Sequence, residues 1–397
     1  MEPPLRFKDP VGAEPPLRFN ELSISLTKSL SKETKKNEGI YFTPINIIKM
    51  IIDFVTTEKS DIVSVLEPSC GSGQFIELLE FKEITAIEKN KSIYNAIKEK
   101  YPVINDDFLE YRFDKKFDLV IGNPPYFVIP KKSVDSKYYK YFDGRPNIYI
   151  LFIIKSFELL NENGILAFVL PSNFLNCIYY NKLRKYLSKF KILDIYTSNE
   201  KFLDTSQEIC VFIIQKTDGT GDFCINFDEI VLFKPKEEIV IIKQLKEGST
   251  TLHQLGCTLN IGNIVWNQCK PELTNDPSKT LLIYSSDFKN NVLEIQSYKN
   301  VDKKNYINKK GSTSTVLLVN RGYGTGGYSL NYCLVELYDL EFLVENHCIV
   351  IHSKDKSVFQ MIIDSFENEK TKEFIDIVFS NNAINIEEFL HLLPIYK

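Results

Sequence analysis

Apolar residues at Ile47, Ile48, Ile51, Ile52 and Val55 recur with the spacing of one helical face. Thr43 stands where an N-cap belongs and Pro44 at the first helical position, so a helix is predicted to start there. A lysine-rich helix is predicted ahead of it, over 22–36. From residue 62 the period changes. Strands are predicted at 62–66, 84–87, 117–121, 165–170, 192–195 and 209–215. Helices are predicted between them at 73–80, 92–100, 147–160 (ended by Asn163-Gly164) and 180–188. Strands alternating with helices predict an α/β fold, a mostly parallel sheet covered on both faces. Residues 217–222 (TDGTGD) read as a linker. Beyond 222 the spacing becomes irregular, with short β-like runs and polar loops, which predicts a second, mixed α+β domain over 222–397. At the other end, EPPLRF occurs at 2–7 and again at 14–19, and no period continues from it. Residues 1–20 are expected to be a flexible tail, with a short docking peptide as the alternative, and the first domain to span 21–217.

Composition narrows the class. The chain has 397 residues, 44% of them hydrophobic, too many for a disordered protein. Its net charge of −4 lacks the basic footprint of a typical nucleic-acid binder. Local runs soften that. Lys131, Lys132, Lys137, Lys140 and Arg145 face only Asp135 and Asp143, and Lys182, Arg184, Lys185, Lys189 and Lys191 face no acid. A third run lies over 299–310. Any one of these taken alone is an ordinary solvated face. The eight cysteines form no CxxC pair and the four histidines no metal-ligand spacing, so no metal is expected. No run of 18 apolar residues interrupts the chain, and a soluble, cytoplasmic protein with no membrane partner is expected.

Chemistry concentrates in the first half. Residues 65–76 read VLEPSCGSGQFI, a strand that ends in a Gly-rich turn. Such a turn lets the backbone approach a ligand at the carboxyl end of a strand. Glu88 ends the next strand, where a carboxylate can accept from both ribose hydroxyls. Asp106-Asp107-Phe108 follows the third, offering an acceptor for an adenine amino group and a ring to cover its face. Each alone is an ordinary loop feature; together and in this order they point to adenosine. The turn completes neither a GxxxxGK[ST] loop nor a GxGxxG, and no Lys or Arg sits in it. An adenosine cofactor without phosphates and with a positive sulfonium fits better than NAD or ATP.

A second motif, LVIGNPPYFV at 119–128, ends a buried strand with Asn-Pro-Pro-Tyr. An aromatic amine is a poor nucleophile because its lone pair is delocalised. The Asn123 side-chain oxygen and the Pro124 carbonyl can accept from its two N–H groups, which holds the nitrogen toward tetrahedral geometry and frees the lone pair. Two prolines preposition those acceptors. Tyr126 offers a ring face on which a flipped base stacks.

With these motifs in hand, the chain resembles the adenine-N6-specific DNA methyltransferases of restriction–modification systems. It looks most like the subclass with an N-terminal cofactor motif and a C-terminal target-recognition domain. The motifs run GIYFTP at 39–44, LEPSCGSGQF at 66–75, IEKN at 87–90, DDF at 106–108 and NPPY at 123–126. The resemblance implies a Rossmann-like, S-adenosylmethionine-dependent domain and carries residues over one by one. Tyr41 and Thr43 would contact the methionine end of the cofactor and Glu67 its amino group. Ser69, Gly71 and Lys89 complete the cofactor set. Glu88 would take the ribose, and Asp107 (or Asp106) with Phe108 the adenine. Asn123, Pro124 and Tyr126 would hold the target base, and Phe202 would stack on its other face.

Residues 255–275 and 343–351 look like pieces of recognition domains in these enzymes. Candidate DNA contacts are Lys131, Lys132, Arg145 and Arg321; the last could read guanine or hold a phosphate. Trp266 is expected in the core, and His347 is either structural or near DNA. The function implied is methyl transfer to N6 of a flipped adenine at a specific site in double-stranded DNA, by a monomer. Restriction would need a separate nuclease. The rivals are an NPPY enzyme acting on a protein glutamine or on an RNA base, and a catalytically silent DNA-binding subunit. The long segment after the catalytic domain favours DNA.

Overall fold

The computed structural model describes residues 18–198, 208–219, 221–227, 229–322, 328–337, 339–379 and 384–396. They group into two units. One comprises the described residues up to Phe174 together with Lys185–Gly221; the other comprises Leu175–Arg184 and the chain from Asp222 onward.

The first unit is a doubly wound α/β structure. Its elements are α1 (Glu21–Ser29), α2 (Lys32–Glu38), α3 (Ile45–Glu58), β1 (Ser64–Glu67), β2 (Glu83–Ile87), α4 (Lys91–Ile97), β3 (Val103–Ile104), β4 (Phe117–Gly122), α5 (Tyr149–Leu159) and β5 (Leu160–Pro171). After α6 (Asn181–Leu187), which straddles the division, come β6 (Phe190–Ser198) and β7 (Ile209–Asp218). The seven strands lie in the order β3-β2-β1-β4-β5-β7-β6. The five strands from β3 to β5 in that order pair in parallel, and β7 runs antiparallel to both β5 and β6. The predicted α/β class is therefore observed. The interior strands β1 and β4 are buried almost throughout, which is why they read as apolar runs. Ile47, Ile48, Ile51 and Val55 pack the inner face of α3 onto Val65, Leu119, Ile121 and Val169. Strand order reverses between β1 and β4, and the crevice above their carboxyl ends is where such sheets bind ligands.

Four local expectations need correction. The helix expected over 22–36 is two helices, because Ser31 caps α2 by accepting from the Thr34 amide at 3.0 Å. Thr43 is not the cap of α3. Pro44 holds that position with no side-chain bond, and the Thr43 hydroxyl is buried without a partner among the described residues. Over 73–80 only one 3₁₀ turn forms, at Ile76–Leu78. Gly71 and Gly73 have φ of +53° and +74°, and a Cβ on Gly73 would sit 2.5 Å from the Tyr101 ring. The turn is thus held under Tyr101 in a left-handed conformation that a regular helix cannot continue. Finally, α5 stops at Leu159, before Asn163-Gly164, and Asn163 (φ +60°) lies within β5.

In the second unit an antiparallel sheet pairs Thr258–Ile261 with Cys348–His352, then Val316–Asn320, then Tyr332–Val335. The two segments singled out at 255–275 and 343–351 therefore lie side by side. At Gly262 any Cβ would fall 2.1 Å from the Glu345 carbonyl oxygen. Trp266 is half-buried against Tyr284, Leu282 and Ile307. Arg184, from the basic run at 182–191, is fully buried rather than a surface charge. Its guanidinium donates to the carbonyls of Val231 (2.5 Å), Cys177 (2.8 Å) and Asn176 (3.0 Å). Burial raises the carboxyl of Glu388, the acceptor of the Ile178 amide, and the Arg184 charge opposes that rise. Arg184→Met is expected to lower stability by about 3 kcal/mol or more, because it strands the buried Glu388 carboxyl and three carbonyls. Chemical denaturation measures this, and a loss below about 1 kcal/mol would contradict the role assigned to Arg184. Among the described residues no helix is long and apolar enough to cross a membrane.

Candidate active site

A cavity of about 510 Å³ opens over the carboxyl ends of β1, β2 and β4. It gathers Tyr41, Ser69, Gly71, Glu88, Lys89, Asp107, Phe108 and Asn123, residues spread over 82 positions of sequence. Glu88 is held by two backbone amides: Gly71 donates to one carboxylate oxygen at 2.9 Å and Asn90 to the other at 2.6 Å. The turn thus wraps the acid that ends the neighbouring strand. Burial pushes the Glu88 carboxyl up to about 7. Asp107 lines the cavity and Asp106 does not. Its carboxylate pairs with Lys89 at 2.8 Å. Phe108 forms part of the wall and packs on Phe152 with ring centroids 4.9 Å apart.

Asn123 sits at one end of the cavity with its amide fixed. Nδ2 donates to the Tyr41 carbonyl at 2.9 Å, so Oδ1 faces the other way, toward the Tyr126 hydroxyl. Ser69 Oγ donates to the Asn123 carbonyl at 3.2 Å. The Tyr126 hydroxyl also reaches the Val169 carbonyl at 2.5 Å. One phenolic proton serves one of these acceptors at a time. Given to Val169, it leaves Asn123 Oδ1 able to accept from another donor.

The remaining predicted residues lie elsewhere. Glu67 and Thr43 are buried but do not line the cavity, and each keeps an oxygen without a partner among the described residues. Burial, with Glu88 adding repulsion, holds the Glu67 carboxyl well above the usual range. Pro124 is buried behind Asn123, and Tyr126 packs edge-on against Tyr149 at 6.0 Å. Lys131, Lys132 and Arg145 are exposed on the loop that leaves the NPPY motif. Its ends are tied by bonds from Ile129 N to the Pro146 carbonyl and from Ile148 N to the Phe127 carbonyl, both 2.9 Å. Arg321 belongs to the second unit, where its amide bonds the His347 carbonyl and its Nε is buried without a partner among the described residues. His347 Nδ1 meets the buried Glu345 carboxylate at 2.7 Å. Phe202 lies outside the described residues.

Sequence reasoning missed Gly39. It ends α2 with φ +65°, and a Cβ there would fall 2.5 Å from the Tyr126 amide nitrogen. The GIYFTP motif therefore lies directly on the NPPY backbone. A glycine after a charged helical run is a helix-stop signal, but the contact across 87 positions carried no local sign.

Residues 24–202 match a family model described as Eco57I restriction-modification methylase. The modification methylase CviBIII of Paramecium bursaria Chlorella virus NC1A is 28% identical over 96% of this chain and 99% of its own. The type II methyltransferase M.CvrRI of Paramecium bursaria Chlorella virus XZ-6E is 29% identical over 95% and 99%. Among solved structures, the type IIG restriction endonuclease BpuSI covers 94% of this chain and 60% of its own, at 10% identity and a TM-score of 0.44. Residues 24–202 are thus similar to the Eco57I restriction-modification methylases, and the cofactor that this similarity implies is S-adenosylmethionine.

The cavity fits that cofactor. It has the volume of a nucleoside-sized ligand site, two acids (Glu88 and Asp107) that could accept from a nucleoside's hydroxyl and amino groups, an aromatic ring (Phe108), and no lysine or arginine in its glycine turn. A buried carboxyl behind the turn, Glu67, has an oxygen still to be satisfied. Ribose hydroxyls are donors, so as the ribose ligand Glu88 would bind them best when ionised. Affinity for the cofactor product S-adenosylhomocysteine is expected to be roughly tenfold weaker near pH 6 than near pH 8. Calorimetric titration across that window checks it, and a flat profile would contradict Glu88 as the ribose ligand. For the ligand-free protein the sign reverses. A carboxyl raised in the fold stabilises below its ordinary 4.5, and that stability is lost as pH rises through about 7.

Proposed function

We propose that this protein methylates N6 of adenine at a specific site in double-stranded DNA. The observation that carries the reading is Asn123: its amide is fixed by Tyr41, at the edge of the cavity that takes the cofactor. When bound, S-adenosylmethionine supplies an electrophilic methyl group. The chain supplies the geometry. Asn123 Oδ1 and the Pro124 carbonyl accept from the two N–H groups of the target amine, and the lone pair is released toward the methyl group. As the base enters, the Tyr126 hydroxyl donates its hydrogen bond to the Val169 carbonyl alone, and its ring and that of Phe202 sandwich the base. Glu88 holds the ribose, Asp107 and Phe108 the adenine ring, and Lys89 pairs with the Asp107 carboxylate. Tyr41, Thr43, Glu67, Ser69 and Gly71 complete the cofactor site.

An adenine inside a duplex is out of reach, so it must be rotated out, at a cost of roughly a few kcal/mol. Lys131, Lys132 and Arg145, exposed beside the NPPY motif, contact phosphates and help to offset that cost. The second unit, with Arg321, reads the sequence. Full-length similarity to modification methylases favours DNA over a protein glutamine or an RNA base. The enzyme acts as a cytoplasmic monomer, and any nuclease that cuts the same site is a separate protein.

The test supplies labelled S-adenosylmethionine with unmethylated genomic DNA, total RNA or cell protein in parallel. Label is expected in DNA. Label confined to RNA or protein would overturn the reading.

A further inference from the structure

Between β3 and β4, residues 105–116 cross the top of the sheet without a regular helix or strand. Their carbonyls therefore lack the partners that regular structure would give. Three are met by one side chain. Lys155 Nζ donates to the carbonyls of Phe108 (2.6 Å), Leu109 (3.0 Å) and Tyr111 (2.7 Å). The same ammonium lies 5.1 Å from the centre of the Phe108 ring and 5.6 Å from that of Phe113. Lys155 interrupts the apolar run of α5 (Tyr149–Ile154), a helix most of whose side chains are buried. One turn earlier on the same face, Phe152 packs on the Phe108 ring and lines the cavity. Burying an ammonium is costly unless its donors are used, and here all three are. The rest of the stretch is tied at other atoms: the Glu110 and Tyr111 amides donate to the Asp107 carbonyl, the Leu109 amide to Asp107 Oδ1 and Asn105 Nδ2 to the Glu88 carbonyl, while Lys89 pairs with the Asp107 carboxylate. No other side chain of the described residues is shown to hold these three carbonyls.

We infer that Lys155 is a positioning residue for cofactor selection: it fixes the Asp107–Phe108 loop so that Asp107 can read the 6-amino group of adenine. The inference rests on the adenine role proposed for Asp107 and Phe108. Lys155 touches neither cofactor nor target base; it sets where the loop stands. The carboxylate of Asp107 accepts from an amino group but faces a carbonyl oxygen unfavourably. The native protein should therefore bind S-adenosylhomocysteine more tightly than S-inosylhomocysteine, whose ring carries a carbonyl at that position. A difference of roughly tenfold or more is expected, the worth of one well-placed charged hydrogen bond.

Lys155→Met keeps the length of the stem and removes the donors. It is expected to weaken S-adenosylhomocysteine roughly tenfold and to bring the ratio between the two ligands to within about threefold of unity. Its loss in methyl transfer should fall mainly on KM for the cofactor rather than on kcat. Lys155→Arg, which keeps charge and donors, should recover part of the ratio. A merely structural loss would weaken both ligands alike and leave the ratio intact. Should Lys155→Met not fold, Lys155→Gln, which retains one polar group for the three carbonyls, carries the same comparison. A native protein that discriminates, with a variant that discriminates equally well, overturns the inference while sparing the adenine site. A native protein that does not discriminate removes the adenine role of Asp107 and the inference with it.

Discussion

Replacing Asn123 with alanine is expected to slow methyl transfer roughly 100- to 1,000-fold, the loss typical of removing one prepositioned polar group from a transition state. The asparagine has two separate tasks. Its Nδ2 bond to the Tyr41 carbonyl ties the NPPY loop to the GIYFTP segment, and in the proposed reaction its Oδ1 accepts from the amine. Alanine removes both. The effect should fall on the single-turnover rate more than on cofactor affinity, because the cavity wall is otherwise retained. Stopped-flow or quench measurements with cofactor in excess separate the two. A rate within a few fold of native would show that the amine is activated by other groups.

Gly39→Ala is the second large effect. The position has φ +65°, which costs an alanine roughly 1 kcal/mol. Its new Cβ would also meet the Tyr126 amide nitrogen at 2.5 Å, with Pro125 Cβ at 3.1 Å. Backbone atoms cannot swing away as a flexible side chain can, so the NPPY loop must move. Overpacking of this kind costs about 1–3 kcal/mol in stability. Displacing the acceptors by some fraction of an ångström to 1 Å is expected to cost up to about 100-fold in rate. Thermal unfolding and methyl-transfer assays together test the pairing of losses. A variant with native activity would mean that the two motifs need not touch for catalysis.

What the sequence displayed well was chemistry carried by a few adjacent residues on a strand end. The Gly turn at 71–73, Glu88 after β2 and NPPY after β4 were legible because each requires a particular backbone or functional group at a fixed place. The parallel sheet was legible because strands buried on both faces leave nearly continuous apolar runs. Features decided by distant partners were not. Lys155 looked like an interruption of an apolar helix, since the carbonyls that justify it lie 44 to 47 residues earlier. The choice between Asp106 and Asp107 turns on which side chain faces the cavity after a strand of two residues. Thr43 carried the right side chain for a helix cap, yet it is packed inward beside Gln74, whose amide donates to the Thr43 carbonyl. Arg184 read as a surface charge because its neighbours are lysines, and only the fold reveals the three carbonyls around it.

The most direct test of the central claim is to locate the transferred methyl group. Purified protein, labelled S-adenosylmethionine and unmethylated double-stranded DNA are incubated, and the DNA is then digested to nucleosides and separated. The account predicts label in N6-methyldeoxyadenosine, confined to one recurring sequence and lost with Asn123→Ala. Label on any other base or atom, or none on DNA while the cofactor demonstrably binds, would contradict it.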